Sequence, residues 1–136
     1  MILLDTNIVI DLLSRSRAPE AEWSRAAYNS AAASNIVGCN LVILAEVAAG
    51  AARPDELTDD LERLRIEILD LSVDAALAAG RAFAAYRRRG GQRQAILPDF
   101  LIGAHAVVLS APLITRDRRI ASYFPDLTLI TPESHP

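Results

Sequence analysis

The chain contains no lysine. Its 136 residues carry 14 basic side chains, every one an arginine, against 17 acidic ones, for a formal net charge of −3. Mechanisms that need a catalytic ammonium are excluded. A strongly basic nucleic-acid-coating protein is excluded too, although local arginine patches are not. Cysteine is nearly as scarce. The single thiol, Cys39, has no partner for an internal disulfide and no nearby thiol or histidine for a metal site. It reads as a small buried hydrophobe in a protein of a reducing, cytoplasmic setting. Aromatic residues make up only 5% of the chain, and no apolar run is long enough to cross a bilayer. The apolar stretch Phe100 to Thr115 has 16 residues free of acids and arginines and contains Gly103 and Pro112; a span needs about 20. The N-terminus meets Asp5 after four apolar residues, without the basic and long apolar segments of a signal peptide. No membrane association is expected.

What is abundant is apolar. Half of the chain is hydrophobic (51%), with 24 alanines in runs such as Ala31-Ala32-Ala33. That is ample for one core at this length, which excludes disorder and a coiled-coil rod and predicts a single helix-rich domain over residues 1–136. The tail 131–136, with two prolines, is expected to be flexible.

Short apolar runs alternate with helical patterns. Met1 to Leu4 reads as a buried strand met at once by the cap chemistry of Asp5-Thr6-Asn7, with a helix from Ile8 to Arg15. Pro19 opens a helix to about Ala33, Asn35 to Cys39 a second strand, and Asn40 caps a helix stopped by Gly50. A helix over Pro54 to Arg65, a strand at Ile66 to Leu69 and a long Ala-rich helix capped by Ser72 follow. That helix ends in Arg87-Arg88-Arg89, cations at the negative end of its dipole. Pro98 opens the last helix, and Leu113 to Thr115 and Leu127 to Ile130 are the final strands. The alternation predicts α/β architecture: three α/β/α layers around a five-stranded parallel sheet.

Most acids lie on ordinary polar faces, but four stand where burial predicts none. Asp5 ends an unbroken apolar strand, and Asp117 follows Leu113-Ile114-Thr115. Glu46 is the only charge between Asn40 and Ala52, and Asp99 the only acid between Asp74 and Asp117. In an open α/β sheet, ligands bind beyond the carboxyl ends of the strands, where Asp5 and Asp117 stand. Glu46 and Asp99 sit in mostly apolar helices and must face a protected cleft or suffer desolvation. At roughly 4 Å and an effective dielectric of about 20, paired carboxylates repel by about 4 kcal/mol, so a shared cluster takes up protons or a cation. Oxygen ligands without Cys or His select Mg²⁺ or Mn²⁺ over zinc. Asn7 and Thr115 are candidate supports of Asp5 and Asp117, and Arg116 is the candidate phosphate contact. A single acid of this kind also reads as a helix cap or half of an ion pair; four together point to a shared metal site.

With these positions in hand, the chain resembles the PIN-domain ribonucleases, and among them the VapC-type toxins of toxin–antitoxin pairs. The resemblance rests on Met1-Ile2-Leu3-Leu4-Asp5-Thr6-Asn7, Leu44-Ala45-Glu46-Val47, Pro98-Asp99-Phe100-Leu101-Ile102 and Leu113-Ile114-Thr115-Arg116-Asp117, with Tyr123-Phe124-Pro125 and Ile130-Thr131-Pro132 at the end. It implies a PIN-like fold and a Mg²⁺- or Mn²⁺-dependent endoribonuclease with Asp5, Glu46, Asp99 and Asp117 as its metal-binding, catalytic acids. It also implies products with 5′-phosphate and 3′-hydroxyl ends, a homodimer, and neutralisation by a VapB-type antitoxin. Ile8, Leu12 and Leu13 are expected to offer an apolar groove near Asp5, and the small-residue stretches Ala48–Ala52 and Ala75–Ala85 to allow close helix approach.

Three other readings compete. A receiver-like phospho-acceptor domain shares the sheet and an acidic Mg²⁺ pocket but uses a lysine, which this chain lacks. A haloacid-dehalogenase-type phosphatase wants an acid where Asn7 stands. A non-catalytic PIN-like RNA-binding module would normally have lost an acid, and none is missing. His105 lies about 600° of helix rotation beyond Asp99 and reads as structural or interfacial rather than as a general base. Trp23, Tyr28, Phe83 and Tyr86 read as core or dimer contacts, and the basic stretches Ser14–Arg17 and Arg87–Arg93 equally as solvated surface or RNA contacts.

Overall fold

A short apolar strand followed at once by a capped helix has no room to turn back, so each must cross over through the helix and re-enter parallel. The computed structural model, which describes residues 1–136, follows this rule. Strands β1 (Ile2–Leu4), β2 (Val37–Asn40), β3 (Ile66–Leu69), β4 (Leu113–Ile114) and β5 (Leu129–Ile130) form one sheet in the order β3-β2-β1-β4-β5. Every pairing is parallel, with Leu3 opposite Gly38 on one side and Leu113 on the other. Helices α1 (Thr6–Leu13), α2 (Pro19–Ala32), α3 (Leu41–Gly50), α4 (Leu57–Arg63), α5 (Val73–Arg88) and α6 (Pro98–Val108) complete the three-layer α/β/α fold.

The middle of the sheet is deeply buried: Leu3 and Leu4 of β1 and Leu113 and Ile114 of β4 are inaccessible, together with Ile8, Ile43, Leu61 and Ile102 around them. At roughly 1.5–3 kcal/mol for each large apolar side chain, this layer supplies the main driving force of folding. Local chemistry sets where helices begin. The Asn40 side chain accepts the Ile43 N–H at 2.9 Å and caps α3, and Ser72 accepts the Ala75 N–H at 3.1 Å and caps α5. The Asn40 amide also meets His105 Nδ1 at 3.2 Å, with both side chains buried. This one contact joins the start of α3 to α6. His105 is therefore structural, and its imidazole is held below its ordinary pKa by burial. Phe100, wholly buried, stacks on Tyr123 at 4.3 Å between ring centroids and meets Phe83 edge-on at 5.4 Å, tying the start of α6 to α5.

The boundaries differ in places from those expected. The helix expected over Pro54 to Arg65 opens with a 3₁₀ turn at Pro54–Glu56 before α4, and a further 3₁₀ turn occupies Arg118–Ser122. Gly50 ends α3 as its last helical residue, and the stop is the extended backbone at Ala51. The tail makes hydrogen bonds within itself and to α2. Thr131 and Ser134 exchange hydrogen bonds, and the Trp23 indole donates to the His135 carbonyl at 2.7 Å. That indole would otherwise lack a partner where the tail covers it.

Candidate metal centre at the carboxyl end of the sheet

The chain runs outward from β1 through β2 to β3, then returns to the other side of β1 for β4 and β5. The crossovers therefore diverge between β1 and β4, and the crevice above their carboxyl ends is the topological switch point where α/β folds place their ligands. Asp5 leaves the end of β1, and Thr115, Arg116 and Asp117 leave the end of β4. Glu46 comes from the middle of α3, and Asp99 from the first turn of α6.

Asp5 is the best-held of the four acids and nearly inaccessible, at 6% exposure. Its carboxylate accepts the Thr6 N–H at 2.7 Å, which caps α1, the Thr115 hydroxyl at 2.6 Å and the Asn7 amide at 3.3 Å. Asn7 and Thr115 thus both touch Asp5. The Thr115 hydroxyl also accepts the Asp117 N–H at 3.0 Å, and Asn7 Oδ1 accepts the Arg116 N–H at 3.1 Å, so the ends of β1 and β4 are stitched together. Thr6, which the sequence reading passed over, donates its hydroxyl to Glu46 Oε1 at 2.6 Å and links α3 to the same group. Its position between two site residues, at the start of a capped helix, was the available signal.

The charges act on one another. Burial pushes the Asp5 carboxyl above its ordinary range; hydrogen bonds from Thr115, Thr6 and Asn7 oppose the shift, and the Asp117 charge adds to it. Asp99 is raised by burial first and then by the charges of Asp5, Asp117 and Glu46 together. Asp99 thus lies within electrostatic reach of the other three acids. Asp117 is lowered instead, chiefly by its hydrogen bonds with Arg119.

Arg116 does not face this cleft with its guanidinium. Nε and Nη2 reach Asp11 at 2.9 and 3.3 Å, and the expected phosphate contact is spent on an internal ion pair. Asp11, which the sequence does not single out, is the one other fully buried acid besides Asp5, and it also accepts the Ser24 hydroxyl at 2.6 Å. The arginine that does reach the acids is Arg119.

The donors around the crevice are all oxygens, which suits Mg²⁺ or Mn²⁺ and not zinc. As the side chains lie, no three acids are gathered tightly enough to grip one ion directly. An ion at this crevice would have to complete its coordination with water, as Mg²⁺ does.

The family model for the PIN domain matches residues 2–123. The chain belongs to the PIN-domain family. The five-stranded parallel sheet and flanking helices are those the PIN resemblance implied, and the receiver and phosphatase readings fall with that match. No curated protein sequence matches the chain. Among solved structures, this PIN domain is similar to a chain of the VapBC2 complex of Rickettsia felis bound to a promoter DNA fragment. The TM-score is 0.75 at 23% identity, over 96% of this chain and 98% of that one. A toxin–antitoxin complex of Klebsiella pneumoniae matches at TM-score 0.66 and 28% identity, over 97% and 98%. VapBC-1 of nontypeable Haemophilus influenzae matches at 0.70 and 23%, over 96% and 98%. No helix of this chain is long and apolar enough to cross a membrane.

Proposed function

We propose that this PIN domain is the toxin of a toxin–antitoxin pair, an endoribonuclease that hydrolyses RNA with Mg²⁺ or Mn²⁺ held by Asp5, Glu46, Asp99 and Asp117. The observation that carries the reading is placement: Asp5 and Asp117 leave the carboxyl ends of neighbouring strands at the switch point of the sheet, Glu46 is tied to the same corner through Thr6, and Asp99 lies within electrostatic reach of all three, a grouping that a bound cation relieves. A divalent ion there supplies an acidified water and positive charge against the scissile phosphate. The chain's own residues do the positioning. Thr115, Asn7 and the Thr6 N–H fix the Asp5 carboxylate, while the Thr6 hydroxyl occupies one oxygen of Glu46 and leaves the other to accept a proton or orient a water.

The partner side of the reading rests on the fold likeness to toxin–antitoxin complexes and on one groove. Ile10, 47% exposed, lies with Leu13, Val47, Ala51, Ala52 and Leu57 along an open cleft between α1, α3 and the turn before α4. Of the residues expected there, Leu13 lines it, whereas Ile8 lies in the core and Leu12 packs against it, which shifts the apolar surface to Ile10. An antitoxin segment with a matching apolar face fits this groove. For the homodimer, the exposed apolar residues on α5 are Val73 and Leu77, whereas Ala75 and Ala79 are consumed by internal packing.

The test is cleavage of a defined RNA by the metal-free protein with and without added Mn²⁺, with Asp99→Asn as the inactive control. Products with 5′-phosphate ends that appear only with metal are expected. Cleavage in excess chelator, or 2′,3′-cyclic phosphate ends, would refute the reading, because the RNA's own hydroxyl would then be the nucleophile. Light scattering of the isolated chain checks the dimer. Co-purification with the product of a neighbouring small gene, with loss of nuclease activity, checks the antitoxin.

A further inference from the structure

Of the acids around the crevice, Asp117 alone is neutralised from within the chain. Arg119 Nη2 donates to Asp117 Oδ2 at 2.6 Å, and its Nε lies 3.0 and 3.1 Å from the two oxygens. The Arg119 backbone N–H adds a further bond to Oδ1 at 3.0 Å, within the 3₁₀ turn Arg118–Ser122. Both oxygens of one proposed metal ligand are therefore occupied by a single guanidinium, in the paired geometry that arginine forms with carboxylates. The arrangement is not a buried structural clamp. The Arg119 side chain is 82% exposed and that of Asp117 32%, so the guanidinium can leave into solvent without opening the core. Its charge also reaches Asp99. Arg118, next to it, is exposed and makes no ion pair with these acids. The Asp11–Arg116 pair differs: it sits against α1 and α2, and Asp11 is 9% exposed.

We infer that Arg119 is the built-in counter-ion of Asp117, displaced when a divalent cation enters the crevice and then free to contact an RNA phosphate beside it. This rests on the proposed metal site. The two claims share one consequence of geometry: a guanidinium and a cation cannot both hold the same two oxygens, and a guanidinium released at the rim keeps its charge within reach of the substrate.

The test is calorimetric titration of Mn²⁺ into the metal-free full-length chain, followed by RNA cleavage at saturating Mn²⁺. Arg119→Gln is expected to bind Mn²⁺ roughly two- to five-fold more tightly than the parent, the range an exposed ion pair implies. Arg118→Gln removes the same charge one residue away and is expected to change affinity less. In an Asp117→Asn background the effect of Arg119→Gln is expected to vanish, because the pair it breaks is already gone. With Mn²⁺ saturating, Arg119→Gln is expected to raise KM for RNA more than it lowers kcat. Unchanged or weaker Mn²⁺ binding by Arg119→Gln, an equal effect from Arg118→Gln, or persistence in the Asp117→Asn background would overturn the counter-ion role. An unchanged KM would overturn the phosphate contact. A parent chain that gives no Mn²⁺ heat would instead remove the metal reading itself, an outcome distinguishable from the others because it precedes them.

Discussion

Asp99→Asn is expected to stabilise the metal-free protein while removing its divalent-ion binding. Burial and the charges of Asp5, Asp117 and Glu46 all oppose ionisation of Asp99, and only Arg119 favours it. Two unit charges ~8 Å apart at an effective dielectric of ~40 repel by about 1 kcal/mol, so three neighbours at that order of separation cost at most about 3 kcal/mol, less what the Arg119 charge returns. The position is partly open to solvent, which screens that by about half. Asp99 also lies in the first turn of α6, where a carboxylate gains roughly 0.3–1 kcal/mol from the helix dipole that asparagine forfeits. The net gain is at most about 1 kcal/mol, or up to about 3–4 °C in melting temperature for a domain of this size.

The pH dependence gives the test its discrimination. Because the folded pKa of Asp99 lies above its ordinary value of 3.8, the folded state holds the proton longer than the unfolded one, and stability falls as pH rises through that window. The penalty is complete above the folded pKa and absent below 3.8. The advantage of Asp99→Asn should therefore be full at pH ~7.5 and shrink as the buffer is acidified toward the ordinary carboxylate range. Saturating Mn²⁺ should invert the order, since a ligand at about 100 times its dissociation constant adds about 2.7 kcal/mol to the parent alone. Melting curves in chelator at two pH values, and then in Mn²⁺, supply all three comparisons. A variant less stable than the parent in chelator, or a gain indifferent to pH, would show that the four acids do not share a site.

Further measurements bear on the frame that carries the site. Asn40→Ala removes the α3 cap and leaves His105 Nδ1 without a partner; a loss of about 2–3 kcal/mol in urea unfolding is expected. Gly103→Ala places a Cβ about 2.5 Å from the Phe124 ring, and crowding in that packed layer should cost about 1–3 kcal/mol by the same assay. The Cys39 thiol, wholly buried and pushed up to about 11, should fail to react with a thiol reagent at pH 8 in the native protein and react fully once unfolded.

Asp5, Glu46 and Asp99 stand out in the sequence because each is the one acid in or at the end of an apolar stretch, and Asp117 because it follows the strand Leu113-Ile114-Thr115. The residues that the reading missed or misplaced depend on contacts across the chain. Asp11 follows Ile8-Val9-Ile10 and passes for the polar face of α1; the arginine that buries it, Arg116, lies 105 residues later. Arg116 was expected in the cleft and lies elsewhere for a related reason. Arginines clustered after a strand end look equivalent in sequence, but the Arg116 N–H is drawn to Asn7, which turns its side chain toward α1. The 3₁₀ turn at Arg118–Ser122 then brings Arg119 back over Asp117. Strand order decides what these details mean. Had β4 joined the sheet beyond β3, Asp117 would lie at an outer edge, far from Asp5, with its carboxylate in water. Placement beside β1 sets it in the one crevice where the crossovers diverge, next to a carboxylate that three donors hold in place. The charge that the fold concentrates there must be answered by a proton, a guanidinium or a metal ion, and the metal-free chain answers part of it with Arg119.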